Sequence, residues 1–237
     1  MTSNPAPLPL EHSRFAVVDV ETTGGRAQRG GRILEVAVAI LEAGTVHLAF
    51  TSLLDPGTPI PPWVARLTGI TDGMVAGCPR FADVVPDLGH ALDAGVFVAH
   101  NARFDWRFLE AECVAAGVPA PGGKPLCTVR LTRRLVPELR RRALDQVAAF
   151  FGIENPARHR AFGDALATAY VLRALLGRAR ERGVETLEQL IEVHDRPRHR
   201  QVRNAECGMR SIEGSIDRRT TSHCNSALRT PHSALPE

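Results

Sequence analysis

The chain has 237 residues, 44% of them hydrophobic, and a formal net charge of +3. That fits one folded domain with extras or two small ones, and no apolar run approaches the roughly 20 residues a membrane helix needs. Residues 197–237 carry seven arginines against four acids, so residues 1–196 balance 22 bases against 22 acids, which excludes a broadly basic body as the means of meeting a polyanion.

Residues 1–13 are proline-rich and read as a flexible lead-in. They lack a basic segment followed by an apolar one, so no secretory leader is expected. "FAVVDV" (15–20) predicts a buried strand, and "RILEVAVAILEAGTVHLAFTSLL" (32–54) a hairpin turning at Glu42-Ala43-Gly44. "WVARLTG" (63–69) and "FADVVPDLGHAL" (81–92) predict helices, the second disturbed by Pro86. "GVFVAH" (95–100) predicts another strand, residues 101–117 a helix with Asn101 as N-cap, and Leu126 to Thr128 a short fifth strand. Helices over 144–152, 161–183 and 185–194 complete a folded domain spanning 14–195. Three strands followed by alternating strands and helices imply a mixed α/β sheet with helices on its faces. Residues 196–237 hold no Phe, Trp or Tyr and read as a disordered basic tail. Five scattered cysteines without any C-x-x-C fit a reducing, cytoplasmic setting.

Asp19 and Glu21 interrupt the first apolar run two residues apart. On a strand they share a face, where like charges raise each other's pKa unless a cation lies between them. Oxygen ligands converging without histidine favour Mg²⁺ or Mn²⁺ over zinc. The same pair also fits an exposed strand edge. Asp105, in "HNARFDWRFL", falls in the first turn of its helix, where an acid also suits the helix dipole. His159 and Asp164, in "HRAFGD", serve one site only if His159 lies in the loop before the helix and Asp164 in its first turns. Histidine is the side chain best suited to take a proton from water near pH 7.

"VDVETTG", "AHNARFD" and "HRAFGD" match, in order and separation, the three motifs of the DEDDh 3′–5′ exonucleases. The resemblance covers about residues 14 to 178. Within the family the chain is most similar to the proofreading epsilon subunits of bacterial DNA polymerase III. It implies a ribonuclease H-like five-stranded sheet and a site of two divalent metal ions, Mg²⁺ or Mn²⁺. Asp19 would bridge both ions. Glu21 and Asp164 would complete the shell of the ion carrying the attacking water, and Asp105 would hold the other. His159 would be the general base. Thr22, Thr23, Leu67, Thr68, His100, Asn101 and Phe104 fall where the family contacts the 3′-terminal nucleotide. The implied partners are single-stranded or frayed 3′ ends, DNA before RNA, and a DNA polymerase subunit; no membrane is implied.

Three readings follow. The first is an exonuclease acting on DNA 3′ ends. The second is an RNA exonuclease of the ribonuclease T or oligoribonuclease type. The third is a silent nucleic-acid-binding module on the same fold. Glu35, among apolar residues, fits either indirect support of the site or a sheet-edge acid. The arginines at 130, 133, 134 and 140–142 fit either a phosphate track or a solvated helix face. A zinc site from His199, Cys207, His223, Cys224 and His232 would need very irregular spacings.

Overall fold

The first apolar run extends through both acids into strand β1, Phe15–Thr22, because one antiparallel neighbour pairs with it to its end. The computed structural model describes residues 8–93 and 95–197. Beyond Pro197, the tail and the candidate zinc ligands lie outside the described residues. β2 (Ile33–Glu42) and β3 (Thr45–Leu53) form the expected hairpin. Its two-residue turn has Ala43 at φ 47° and Gly44 at φ 77°, the doubly left-handed turn that matches the twist of paired strands.

α1 (Pro62–Thr68), α2 (Asp72–Val75) and α3 (Phe81–Leu92) precede β4 (Val96–Ala99). α4 (Arg103–Ala116) leads to β5 (Leu126–Cys127). α5 (Thr128–Leu135), α6 (Leu144–Phe150), α7 (Ala161–Arg180) and α8 (Leu187–Asp195) follow. The five strands make one sheet in the order β3-β2-β1-β4-β5, antiparallel on the β2 side of β1 and parallel on the β4 side. This is the mixed five-stranded sheet flanked by helices that the sequence predicts. Among the described residues no helix is long and apolar enough to cross a membrane.

Alternation along β1 sends its side chains to two cores. Phe15 and Val17 join the core under α5, α6, α7 and α8, whereas Ala16, Val18 and Val20 join the core under α3 and α4. β2 divides the same way: Ala37, Ala39 and Leu41 face α7, and Val36, Val38 and Ile40 face α3 and α4. α7 packs through Ala161, Ala165 and Ala169, four residues apart, against the small Ala37 and Ala39. Small residues on both surfaces let the helix axis approach the sheet closely. Fully buried leucines and phenylalanines around this contact, such as Phe15, Leu131 and Leu172, stabilise it by about 2–3 kcal/mol each.

Four expectations change. Pro86 lies inside α3 without ending it; the carbonyl that loses its partner belongs to exposed Ala82, where water can reach it. Thr128 begins α5 rather than continuing the strand, and α5 itself was not foreseen. α7 ends at Arg180, with Gly183 at φ 76° turning the chain. Asn101 does not cap α4: the N-cap is Ala102, and Asn101 sits one position earlier at φ 70°, accepting from the Phe104 amide through its carbonyl at 2.8 Å.

Candidate active site

The parity that sends Phe15 and Val17 toward α7 carries Asp19 and Glu21 to the same face. α7 begins two residues after His159 and carries Asp164 in its first turn. Glu21, His159 and Asp164 each place a ligand atom within 4.8 Å of the other two. Asp105, only 3% exposed, approaches across the end of β1, where its Oδ1 accepts from the Val20 amide at 3.3 Å. The loop-then-helix arrangement that His159 and Asp164 need is present. The backbone N–H of His159 donates to Asp164 Oδ2 at 3.3 Å, and Asn155 Nδ2 donates to Oδ1 at 2.5 Å. His159 holds φ 57°, a left-handed conformation that costs a non-glycine residue about 1–2 kcal/mol and that tertiary contacts must impose.

The electrostatics are those of acids crowded together in a partly dry place. Burial pushes the Asp19 carboxyl well above its usual range, and Asp105, Asp164, Glu21 and Glu35 push it further. Burial, then Asp164, Glu35 and Asp105, raise Glu21 to about 8, with Arg160 opposing. Asp105 is raised to about 7 by burial, against two backbone hydrogen bonds. Burial also raises Asp164, against the Asn155 and His159 hydrogen bonds. Four carboxyls that cannot all ionise comfortably, with an imidazole at their edge, form a donor set suited to hard divalent cations.

Two buried glutamates brace this site. Glu35, 2% exposed and directly opposite Glu21 in the ladder, accepts from Arg160 Nε at 3.0 Å, Arg160 Nη2 at 2.8 Å and the Ala161 amide at 2.8 Å. It is no sheet-edge acid: it caps α7 from β2, an anion on the positive end of that helix. Glu112 repeats the device on α4, accepting from Arg32 Nε and Nη2 at 2.8 Å each and from the Ile33 amide at 3.1 Å. Arg32 in turn grips Thr23: its amide donates to Thr23 Oγ1 at 2.9 Å, and its carbonyl accepts from the Thr23 amide at 2.8 Å. Asn155, Arg160, Arg32 and Glu112 were all missed from sequence: the partners of the last three lie 80 to 125 residues away, and no local pattern announces the bond from Asn155 to Asp164, nine residues on.

The remaining expected residues separate. Thr22 and Thr23 follow the acids on β1, and the Thr22 hydroxyl donates to the Gly24 carbonyl at 2.8 Å. Asn101 and Phe104 line a cleft of about 440 Å³, and Phe104 packs against Phe108 with ring centroids 4.9 Å apart. Leu67 is not core but 49% exposed. Thr68 turns inward: its hydroxyl donates to the Val64 carbonyl at 3.0 Å and accepts from the Ile70 amide at 3.1 Å. His100 is committed as well. The Arg142 carbonyl, 2.9 Å away, can only accept, so Nε2 carries the proton and Nδ1 accepts from the Thr128 hydroxyl at 2.8 Å. Burial lowers its pKa and keeps it neutral. His100 and Thr68 therefore tie elements together rather than offering polar atoms outward. In the arginine-rich stretch, Arg130 pairs with Asp195, and Arg142 donates to the Arg140 carbonyl.

Fold and acid constellation together have the arrangement of a mixed-sheet, carboxylate-centred nuclease domain. The RNase_T exonuclease family matches residues 16–172, and the chain belongs to that family, whose members share the ribonuclease H-like sheet. Over 181 residues it is 33% identical to the 3′-5′ exonuclease DinG of Bacillus subtilis, covering 76% of this chain and 19% of that protein. Over 184 residues it is 34% identical to the PolC-type DNA polymerase III of Bacillus subtilis, covering 77% of this chain and 13% of that protein. The chain thus spans less than a third of the length of the curated relatives it matches. Among solved structures, exonuclease X in complex with 5′ overhanging duplex DNA superposes with a TM-score of 0.60 at 29% identity, covering 76% of this chain and 98% of that one.

Proposed function

We propose that this chain is a metal-dependent 3′–5′ exonuclease that releases nucleoside 5′-monophosphates from the 3′ ends of DNA. The observation that carries the reading is the convergence of Asp19, Glu21, Asp105 and Asp164 with His159 at one end of β1, from three separate stretches of the sequence. The four carboxyls would hold two Mg²⁺ or Mn²⁺ ions. Divalent ions bound there would neutralise phosphate oxygens and lower the pKa of an attacking water. His159, half-buried at the site's edge, would take the proton from that water, and the ring would pass it to solvent. Its strained backbone lets one residue present the ring to the water while its N–H steadies Asp164. The backbone at Thr22 and Thr23, held by Arg32, would form the floor under the 3′-terminal nucleotide, with Phe104, Asn101 and exposed Leu67 around it.

A DNA substrate is supported by the relatives: a PolC-type DNA polymerase III, and exonuclease X, described in complex with duplex DNA. A proofreading or 3′-trimming role beside a polymerase follows from the same resemblance. The test is a time course with 5′-labelled DNA and RNA oligonucleotides of one sequence, in Mg²⁺, in Mn²⁺ and in EDTA. Stepwise shortening of DNA from the 3′ end that stops in EDTA supports the reading. Faster shortening of RNA would replace its substrate, and shortening in EDTA its chemistry.

A further inference from the structure

The net-neutral body conceals one local concentration of unopposed positive charge. Loop residues Arg26 and Arg29, between β1 and β2, face Arg103 and Arg107 of α4 across the cleft of about 440 Å³. Among the described residues no acid lines that cleft. Arg103 and Arg107 are four apart and so share a helix face; buried Asp105 points the other way, into the acid site. All four guanidinium-bearing residues are exposed. None forms an ion pair with a carboxylate among the described residues, whereas Arg14, Arg32, Arg80, Arg130, Arg158 and Arg160 all do. Arg26 and Arg29 also line a second hollow of about 490 Å³, shared with Thr23, Pro59 and Pro61. The two hollows share Gly25, Arg26 and Arg29 of the same loop. That loop is tightly built: a Cβ on Gly31 would meet the Arg26 carbonyl oxygen at 2.9 Å and Phe108 at 3.1 Å. It is thereby fixed against α4, which keeps the two arginine pairs facing each other.

We propose that Arg26, Arg29, Arg103 and Arg107 form a phosphate-backbone subsite that holds a polynucleotide beyond the residue being removed. The inference rests on the exonuclease reading and extends it from the scissile bond to the strand. Guanidinium groups donate in a planar fork that suits phosphate oxygens. A face without carboxylates attracts a polyanion that the four acids next door repel. The division of labour explains how a chain of balanced charge could grip DNA: the acid pocket acts on one phosphodiester, and the arginines hold others. The arginine-rich stretch at 130–142 is less suited, since Arg130 and Arg142 already have protein partners.

The test compares the wild-type chain with the quadruple variant R26Q/R29Q/R103Q/R107Q on two substrates, a single-stranded DNA oligonucleotide and the p-nitrophenyl ester of thymidine 5′-monophosphate. The ester has no strand to hold. For the variant, KM on the oligonucleotide is expected to rise about tenfold or more. The slope of log KM against log salt is expected to flatten by about 0.7 for each arginine that contacts a phosphate. Hydrolysis of the ester should stay at the wild-type rate. An unchanged oligonucleotide KM and salt slope would overturn the proposal, as would an equal loss on both substrates. If the wild-type chain hydrolysed neither substrate, the exonuclease reading would fail on its own. Fluorescence anisotropy with the labelled oligonucleotide would then decide the arginines' role: a flatter salt slope for the variant upholds it, identical slopes reject it.

Discussion

Replacing Glu35 with alanine removes the group that caps α7 from the sheet. Three acceptor interactions vanish, two from Arg160 and one from the Ala161 amide. The Arg160 side chain is 30% exposed and can rehydrate, but the Ala161 amide is buried and is left without an acceptor, which costs about 1–3 kcal/mol. Losing one partner of a buried pair costs about 3–5 kcal/mol when the other cannot reach water. Partial rehydration of Arg160, and relief of repulsion on Asp19 and Glu21, reduce that figure. A net loss of about 2–3 kcal/mol is expected for E35A, and about half that for E35Q, whose amide oxygen still accepts. Urea denaturation at pH 7 would show this as a lower midpoint with an unchanged slope. The same loosened turn carries Asp164 and orients His159, so Mg²⁺ affinity or turnover should also fall about 10- to 100-fold. A midpoint shift equivalent to less than about 0.5 kcal/mol, the range of ordinary surface substitutions, would refute the clamp.

Three further outcomes follow from the acids and their packing. The raised pKa values of Glu21, near 8, and Asp105, near 7, mean that the folded chain binds more protons than the unfolded one between roughly pH 4 and 8. In EDTA, the contribution of these two carboxyls to stability should be largest below the ordinary carboxyl pKa and fall as pH rises through that window; adding Mg²⁺ at pH 8 should restore it, and melting temperatures that do not fall between pH 6 and 8 would count against the crowding. D19N removes one of the crowded acids and should raise stability in EDTA at pH 8 by about 1 kcal/mol while abolishing nucleotide release; a destabilised D19N chain would contradict the first half. G163A should destabilise by about 1–3 kcal/mol, because its methyl would meet the Ala157 carbonyl oxygen at 2.2 Å in the loop that carries His159; a neutral melt would show that this loop yields freely.

The parts of the site legible in the sequence were those fixed by local geometry. Two acids two apart on a strand must share a face, and β1 obeys. The break between a polar loop and an apolar-periodic helix told which side of the boundary His159 and Asp164 occupy. What stayed hidden were partners chosen by the fold. Glu35 read equally well as an edge acid because nothing near it in sequence reveals Arg160. Asn101 looked like a cap because Asn often is one, but the chain needs a left-handed residue there and starts the helix later. Thr68 and His100 were expected to face substrate; their polar atoms are used by Val64 and Ile70, and by Thr128 and Arg142. The arginines at 26, 29, 103 and 107 are scattered in sequence and become a cluster only when α4 docks beside the β1–β2 loop.

The most direct measurement of the central claim is release of nucleoside 5′-monophosphate from a 3′-labelled DNA oligonucleotide by the wild-type chain and by H159A and D164A. In Mg²⁺ the wild-type chain should release mononucleotides one at a time. H159A should be slowed about 10²- to 10⁴-fold, as expected when a general base is removed. D164A and the wild-type chain in EDTA should release none. Undiminished release by D164A, or by the wild-type chain in EDTA, would contradict an acid-held, metal-dependent site.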